Sequence, residues 1–141
     1  MIKGIFLLIP GKPIAKKRPR FARHGRFVRT YSDQETEEGR FLWEVRKQLN
    51  GHEIFTGPIE MTAIFHMPIP KSTSKKRRAM MLGGEIYHTK KPDVDNLIKF
   101  VCDCLNGEAY RDDSQIFQKI GIKKYSEEPR TEIWIKQVQD I

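Results

Sequence analysis

Four aspartates and one lysine stand close together in an otherwise basic sequence. They are Asp93, Asp95, Lys99, Asp112 and Asp113. Carboxylate oxygens are the ligands that Mg²⁺ and Mn²⁺ prefer in proteins. A divalent cation held among lysines and arginines suits chemistry on a phosphate backbone, because such a metal activates water and stabilises negative charge.

The spacing of the first two aspartates constrains how they cooperate. On a regular helix, residues two apart point about 200° away from each other. Asp93 must therefore precede the helix, as an N-cap after Pro92, while Asp95 projects from the first turn. Lys99 follows Asp95 by four residues and lies on the same face. A simpler interpretation is a helix cap with a surface ion pair, which stabilises by only about 0.2–0.5 kcal/mol.

Asp112 and Asp113 favour a metal site over a helix cap with a surface ion pair. They precede a predicted strand, in which successive side chains point to opposite faces, so one of them is expected to reach the site. Three carboxylates and Lys99 would make a phosphodiesterase site. The carboxylates would hold the metal, the metal would lower the pKa of a bound water, and Lys99 would offset charge on the phosphate.

The net charge of +8 is concentrated in two runs. Residues 1–32 contain nine Lys or Arg and no acid, and residues 71–91 contain seven with a single Glu85. Two basic runs beside a carboxylate cluster favour a polyanion as the partner over a merely solvated surface. Neither run has the amphipathic period of a membrane-surface helix.

Length and composition favour a folded protein. With 141 residues, 38% of them hydrophobic, the chain is most simply one domain with its own core. It has no apolar run of about 18 residues and no secretory leader, so a cytoplasmic location is predicted. Cys102 and Cys104 are too few for a disulfide framework and are predicted to be small buried hydrophobes.

The hydrophobic pattern predicts a single compact α+β domain with a mixed β-sheet and two main helices. Gly4–Ile9 is predicted to be a strand buried on both faces, and Phe21–Thr30 a hairpin. Ser32–Glu35 resembles a capping box that opens the first helix. In the strand Ile59–Ile69, alternate residues face the core and His66 faces away. A short basic helix is expected after Ser72 or Ser74, and a final hairpin is expected from Ser114–Tyr125 and Thr131–Val138, with a bulge near Gly121.

The pattern K-P-D-V-D-N-L-I-K, then D-C-L-N-G, then D-D-S-Q-I resembles the signature of the RusA family of Holliday junction resolvases. The resemblance covers Lys91 to Ile116. It implies a RusA-like endonuclease domain over residues 1–141. It also implies a homodimeric, Mg²⁺-dependent enzyme, with Mn²⁺ as an alternative, that nicks four-way DNA junctions symmetrically in recombination and repair.

The resemblance also assigns residues by position. The implied catalytic set is Asp93, Asp95, Lys99 and Asp113. Asp93, Asp95, Asp113 and Asp112 would be metal ligands, with Asp112 on an acidic position of less defined role. Charge and analogy give the predicted DNA contacts, which are Lys12, Lys16, Lys17, Arg18, Arg20, Lys75, Lys76, Arg77, Lys90 and Lys91.

Two alternatives stay open from the sequence. The first is a DNA-binding module without catalysis, in which the carboxylates only cap helices and pair with cations. The second is a nuclease with the same site that acts on flaps, single strands or RNA.

Overall fold

The structure, a computed structural model, describes residues 3–17, 20–24, 27–31 and 34–139, with side chains for 3–17 and 34–139. The strands are β1 (Lys3–Pro10), β2 (Arg20–His24), β3 (Phe27–Tyr31), β4 (Ile59–Pro68), β5 (Ile116–Ser126) and β6 (Arg130–Gln137). The helices are α1 (Glu35–Leu49), α2 (Lys75–Leu82) and α3 (Val94–Leu105). The α+β class is confirmed, with α2 as a third, shorter helix.

Four strands form one mixed sheet in the order β1-β6-β4-β5, and β2 pairs with β3 as a separate antiparallel ribbon. The predicted hairpin at Phe21–Thr30 is therefore confirmed. The predicted final hairpin is wrong, because β4 lies between β5 and β6. β4 is parallel to β5, and α2 and α3 fill the long crossover that a parallel pair requires.

The core lies between the inner face of this sheet and helices α1 and α3. The predicted alternation in β4 is confirmed, and its inward side chains are at most 1% exposed: Ile59, Met61, Ala63, Phe65 and Met67. The rings of Phe41 on α1 and Phe100 on α3 meet edge to face, with centroids 5.4 Å apart. This contact fixes α3 beside α1.

The outer face of the sheet carries exposed apolar side chains. β1 is an edge strand, so the prediction that it is buried on both faces is wrong. Its residues Ile5, Leu7 and Ile9 point into the core, whereas Phe6 and Leu8 are 48% and 40% exposed. We name the exposed set on this face the outer apolar patch: Phe6, Leu8, Ile120, Ile122 and Trp134.

Two local predictions need correction. The β-bulge lies where Ile59 pairs with Ile116 and Glu60 with Gln118, so Phe117 is the extra residue and Gly121 pairs regularly with Ala63. Helix α1 begins at Glu35 with Gln34 at the N-cap position and no side-chain cap, so the predicted capping box does not open it. Ser32, its proposed capping residue, lies outside the described residues.

Other local predictions hold. His66 faces away from the core and pairs with Glu132, as a structural histidine. Ser74 caps α2 by accepting the backbone N–H of Arg77 at 3.3 Å. Across the described ranges, which omit residues at 1–2, 18–19, 25–26, 32–33 and 140–141, no helix has the length and apolar character needed to cross a membrane.

The two thiols are expected to be unreactive in the folded protein. Burial raises the pKa of Cys102 to about 11 and that of Cys104 to about 12. At pH 8 each thiol then holds more than about a hundredfold less thiolate than a free cysteine. Ellman's reagent should react slowly with the native chain and rapidly with both cysteines in guanidinium. Fast reaction in the native state would contradict the burial of these side chains.

Candidate active site

The start of α3 sets the positions of the motif residues. Asp93 is the N-cap, with extended backbone angles of φ −69° and ψ 147°, and Asp95 lies in the first turn, as predicted. The Asp93 side chain makes no capping hydrogen bond to the described backbone of α3. Asp93, Asp95 and Lys99 are all exposed, and none of them forms an ion pair within the described ranges. Their charged groups are thus available to a ligand.

Gly121 on β5 lets α3 lie close to the sheet. A Cβ added there would stand 2.9 Å from Val94 Cγ2 and 3.4 Å from Ile98 Cδ1. Contacts this short require something to move, so only glycine permits the observed approach of the helix start. Gly121 therefore helps determine where Asp93 and Asp95 stand relative to the sheet.

Lys123 is a residue near the site that the sequence interpretation missed. Its Nζ donates to the backbone carbonyls of Lys90 at 2.8 Å and Pro92 at 3.0 Å. A signal was present in the sequence, because Lys119, Gly121 and Lys123 alternate with Ile120 and Ile122. The sequence interpretation assigned no faces to this strand, and the register places Gly121 and Lys123 toward α3 and both isoleucines outside.

The second acidic segment forms a short 3₁₀ turn, Asp113–Gln115, rather than the start of a strand. Asp112 caps this turn by accepting the backbone N–H of Ser114 at 3.0 Å. The strand that was predicted to start at Ser114 begins at Ile116 instead. Hydrogen bonds from Ser114, from its side chain first and its backbone second, hold the pKa of Asp112 below its ordinary value.

Gln115 fastens the turn to the rest of the fold. Its Oε1 accepts the backbone N–H groups of Arg111 and Asp112 at 2.8 and 3.0 Å. Its Nε2 donates to the carbonyls of Phe55 and Gly57, both at 3.0 Å. This residue belongs to the D-D-S-Q-I pattern, although the pattern alone assigned it no role. It holds the backbone that carries Asp113.

Asp113 is half-buried on a turn that packs against α3. Burial is the main reason for the raised pKa of Cys102, and the Asp113 carboxylate adds to it. Burial also raises the pKa of Tyr110, and the Asp113 carboxylate adds to that rise; the Tyr110 hydroxyl donates to the Cys102 carbonyl at 2.8 Å. Asp113 therefore lies near the C-terminal half of α3, whose first two turns carry Asp95 and Lys99.

The aspartates supply suitable donors for a hard cation but are not assembled around one. Over the described parts of the chain, no three Asp, Glu, His or Cys side chains form a group that could hold a metal ion. The donor chemistry of Asp93, Asp95 and Asp113 fits Mg²⁺, because these carboxylates form no ion pair with any described residue. Asp112 already uses one oxygen in the cap.

The first basic run reaches α3, which we call the motif helix because it carries Asp95 and Lys99, through its backbone. The N–H of Lys16 donates to the carbonyl of Asn96 on α3 at 2.9 Å. The buried side chain of Gln34 holds the same loop, donating to the Ala15 carbonyl and accepting the Lys17 N–H, both at 2.7 Å. We name residues 11–17 the basic loop. The bond to Asn96 places the loop backbone beside the first turn of α3.

The predicted DNA contacts in and after the basic loop have different surroundings. Lys16 pairs with Asp103 at 3.4 Å, and Lys17 pairs with Glu37 at 3.2 Å. Lys12 is exposed. Arg18 lies outside the described residues, and Arg20 begins β2 with a side chain that is not described. Lys16 and Lys17 would have to exchange these partners for phosphate.

The remaining predicted contacts lie near β5. Lys75, Lys76 and Arg77 are exposed on the first turn of α2, and this helix packs on β5 through Met81 and Tyr125. Lys90 and Lys91 are exposed just before Asp93. The second basic run therefore adjoins the motif helix through the same edge strand.

Comparison with known proteins identifies the family of the chain. The family described as "Endodeoxyribonuclease RusA" matches residues 10–136. A relative from Bacillus subtilis (strain 168), named "Uncharacterized protein YqaN", is 38% identical over 131 residues, which cover 91% of this chain and 92% of the relative. The family match spans the basic loop, the motif helix and the Asp113 turn together. The chain belongs to the RusA endodeoxyribonuclease family.

Proposed function

We propose that this protein is a divalent-metal-dependent endonuclease that resolves four-way DNA junctions by paired, symmetric nicks. The observation that supports it most is the set of unpaired aspartates at the start of α3, inside a chain of the RusA endodeoxyribonuclease family. Net charge and the two basic runs fit a DNA substrate. Recombination and repair in the cytoplasm are the setting that this function predicts.

In this proposal Asp93, Asp95 and Asp113 hold Mg²⁺, with Mn²⁺ as an alternative and Asp112 as an accessory carboxylate. When bound, the metal supplies an acidified water and a counter-charge for the phosphate. Lys99 lies one helical turn after Asp95, where its ammonium offsets charge that develops on the scissile phosphate. The side-chain amide of Gln115 holds the Asp113 turn in contact with residues 55–57.

The cations around the aspartates would hold the DNA backbone. Lys90 and Lys91 precede Asp93 directly, and the basic loop is hydrogen-bonded to α3 at Asn96. Phosphates bound on both sides of the carboxylates would be kept near groups that otherwise repel them. Lys75, Lys76 and Arg77 on α2 would extend this contact along the DNA.

The proposed enzyme acts as a homodimer. A four-way junction has approximate two-fold symmetry, so two equivalent sites can cut opposing strands. The outer apolar patch is a suitable contact between copies, because a two-fold axis brings the same patch of each subunit together. Its residues Phe6 and Trp134 have ring centroids 5.0 Å apart, with the rings tilted by 49°, and are 48% and 39% exposed.

Trp134→Glu is expected to give a monomer. A carboxylate in the centre of a two-fold apolar interface would face its own copy and lose its hydration. Light scattering after size-exclusion chromatography should show the mass of a single chain, and junction nicks should become uncoupled. Trp43→Glu is the matched control, because Trp43 is 63% exposed on α1, away from the patch. A dimeric Trp134→Glu variant would place the interface elsewhere.

The experiment that tests the function is cleavage of a synthetic four-way junction with and without Mg²⁺, beside flap, single-stranded and linear duplex DNA of the same sequence. The proposal expects metal-dependent cleavage of the junction at symmetric positions. Preferred cleavage of flaps or single strands would change the substrate class. Binding without cleavage of any of them would favour a non-catalytic DNA-binding module.

A further inference from the structure

Lys123 connects the sheet to the segment that enters the motif helix. It extends from the inner face of β5, two residues after Gly121, which lies against Val94 and Ile98. Its Nζ donates to the carbonyl of Lys90 at 2.8 Å and to that of Pro92 at 3.0 Å. The second of these carbonyls belongs to the peptide unit that joins Pro92 to Asp93. One ammonium group thus bridges the carbonyls of residues 90 and 92, just before the first aspartate.

We propose that Lys123 is a positioning residue of the active site, which fixes residues 90–92 and thereby the direction of the Asp93 carboxylate. This inference rests on the proposed nuclease function and adds a residue to it. Lys123 itself does not touch the substrate in this scheme. It acts through the backbone that carries Asp93.

The segment before Asp93 depends on this side chain. In the described part of the chain, the hydrogen bonds that residues 89–92 make are the two that Lys123 donates. Bonds from an ammonium to carbonyl oxygens are stronger than bonds between neutral groups. Lys90 and Lys91 are exposed and make no side-chain bond to described residues that would hold the segment from the other side. Loss of Lys123 would therefore leave the segment free to move.

Strand β5 makes an apolar contact and a polar contact with this part of the chain. Gly121 sets the distance between α3 and the sheet, through Val94 and Ile98, whereas Lys123 holds the residues just before the helix. His88 also lies close to this strand, with its ring centroid 4.9 Å from that of Tyr125. Burial lowers the pKa of His88, and the Lys123 charge lowers it further. Lys123 therefore binds the chain at residues that lie between His88 and Asp93 in the sequence.

The test compares Lys123→Met with Lys124→Met. Both variants lose one positive charge, but Lys124 is exposed on the opposite face of the sheet. Lys123→Met is expected to cut junctions about 10- to 100-fold more slowly, since small displacements of catalytic groups cost rates of that order. It should need more Mg²⁺ for half-maximal rate and bind the junction in EDTA as Lys124→Met does. Lys123→Arg, which keeps a donor, should recover part of the rate.

Backbone mobility on the ps–ns scale provides a readout that needs no activity. The ¹⁵N heteronuclear NOE of the non-proline residues in 89–95 should be lower in Lys123→Met than in Lys124→Met, with the rest of α3 unchanged. If the wild-type chain proves to cut no DNA, this measurement still decides whether Lys123 holds the segment. Failure of the inference and failure of the proposed function are then distinguishable.

Two results would overturn the inference. One is equal cleavage and equal heteronuclear NOE values in the two variants. The other is loss of junction affinity in EDTA in proportion to the loss of rate, which would make Lys123 a direct DNA contact. If Lys123→Met does not fold, Lys123→Arg carries the test, since a longer donor should still increase the mobility of residues 89–95 and raise the Mg²⁺ requirement. Unchanged values in Lys123→Arg would then count against the role.

Discussion

Asp95→Asn is expected to abolish junction cleavage and leave junction binding intact or slightly stronger. Asn keeps the shape of the side chain but removes the negative charge that a hard cation requires. Mutation of even an outer partner of a metal site typically costs about 10- to 100-fold, so loss of a direct ligand should exceed about 100-fold. Cleavage rates at saturating enzyme, together with gel-shift affinity in EDTA, measure the two effects separately.

Asp103→Asn is the matched control for this substitution. It makes the same change on the same helix, but Asp103 pairs with Lys16 at 3.4 Å instead of standing unpaired. A partly exposed ion pair contributes about 1 kcal/mol or less, so the control should cut nearly as the wild type does. Wild-type cleavage by Asp95→Asn would show that the assigned site is wrong. Equal loss in both variants would indicate a general effect of charge on α3.

Gly121→Val is expected to destabilise the fold and to impair cleavage together. Even the first carbon of the new side chain would stand 2.9 Å from Val94 Cγ2, so the start of α3 must move away from β5. Overpacking of this kind typically costs about 1–3 kcal/mol of unfolding free energy. The displacement would also carry Asp93 and Asp95 away from the Asp113 turn. Urea denaturation and junction cleavage measure the two consequences.

The added variant Val94→Ala should restore part of the stability of Gly121→Val, because it removes the methyl group that clashes. Gly4→Val is the control for β-strand glycines in general. A Cβ at Gly4 would meet only the Ile135 carbonyl oxygen, at an ordinary 3.8 Å. If Gly4→Val and Gly121→Val have equal effects, the close approach of α3 is not the cause.

The local geometry of the motif could be predicted because it depends on short-range rules. The 200° separation of Asp93 and Asp95 on a helix placed Asp93 at the N-cap, and the structure has it there. The alternation of β4 likewise identified its core-facing residues. Both predictions needed only the period of one element and the chemistry of its cap.

The arrangement of the sheet could not be predicted, since it depends on pairings between distant segments. The short connection after Ser126 suggested a hairpin, but β4 inserts between β5 and β6. The faces of β5 therefore stayed unassigned. In the structure Ile120 and Ile122 face outward, and Gly121 and Lys123 lie on the side of α3. The role of Lys123 became visible only with that register.

The basic loop is held by backbone and amide hydrogen bonds in addition to the ion pairs of Lys16 and Lys17. The backbone N–H of Lys16 and the buried amide of Gln34 hold it against α3 and α1. Its lysines can therefore change identity without loss of these hydrogen bonds. Relatives can vary the surface that meets a nucleic acid while they keep the same scaffold. Divergence in substrate preference would then require few compensating changes elsewhere in the fold.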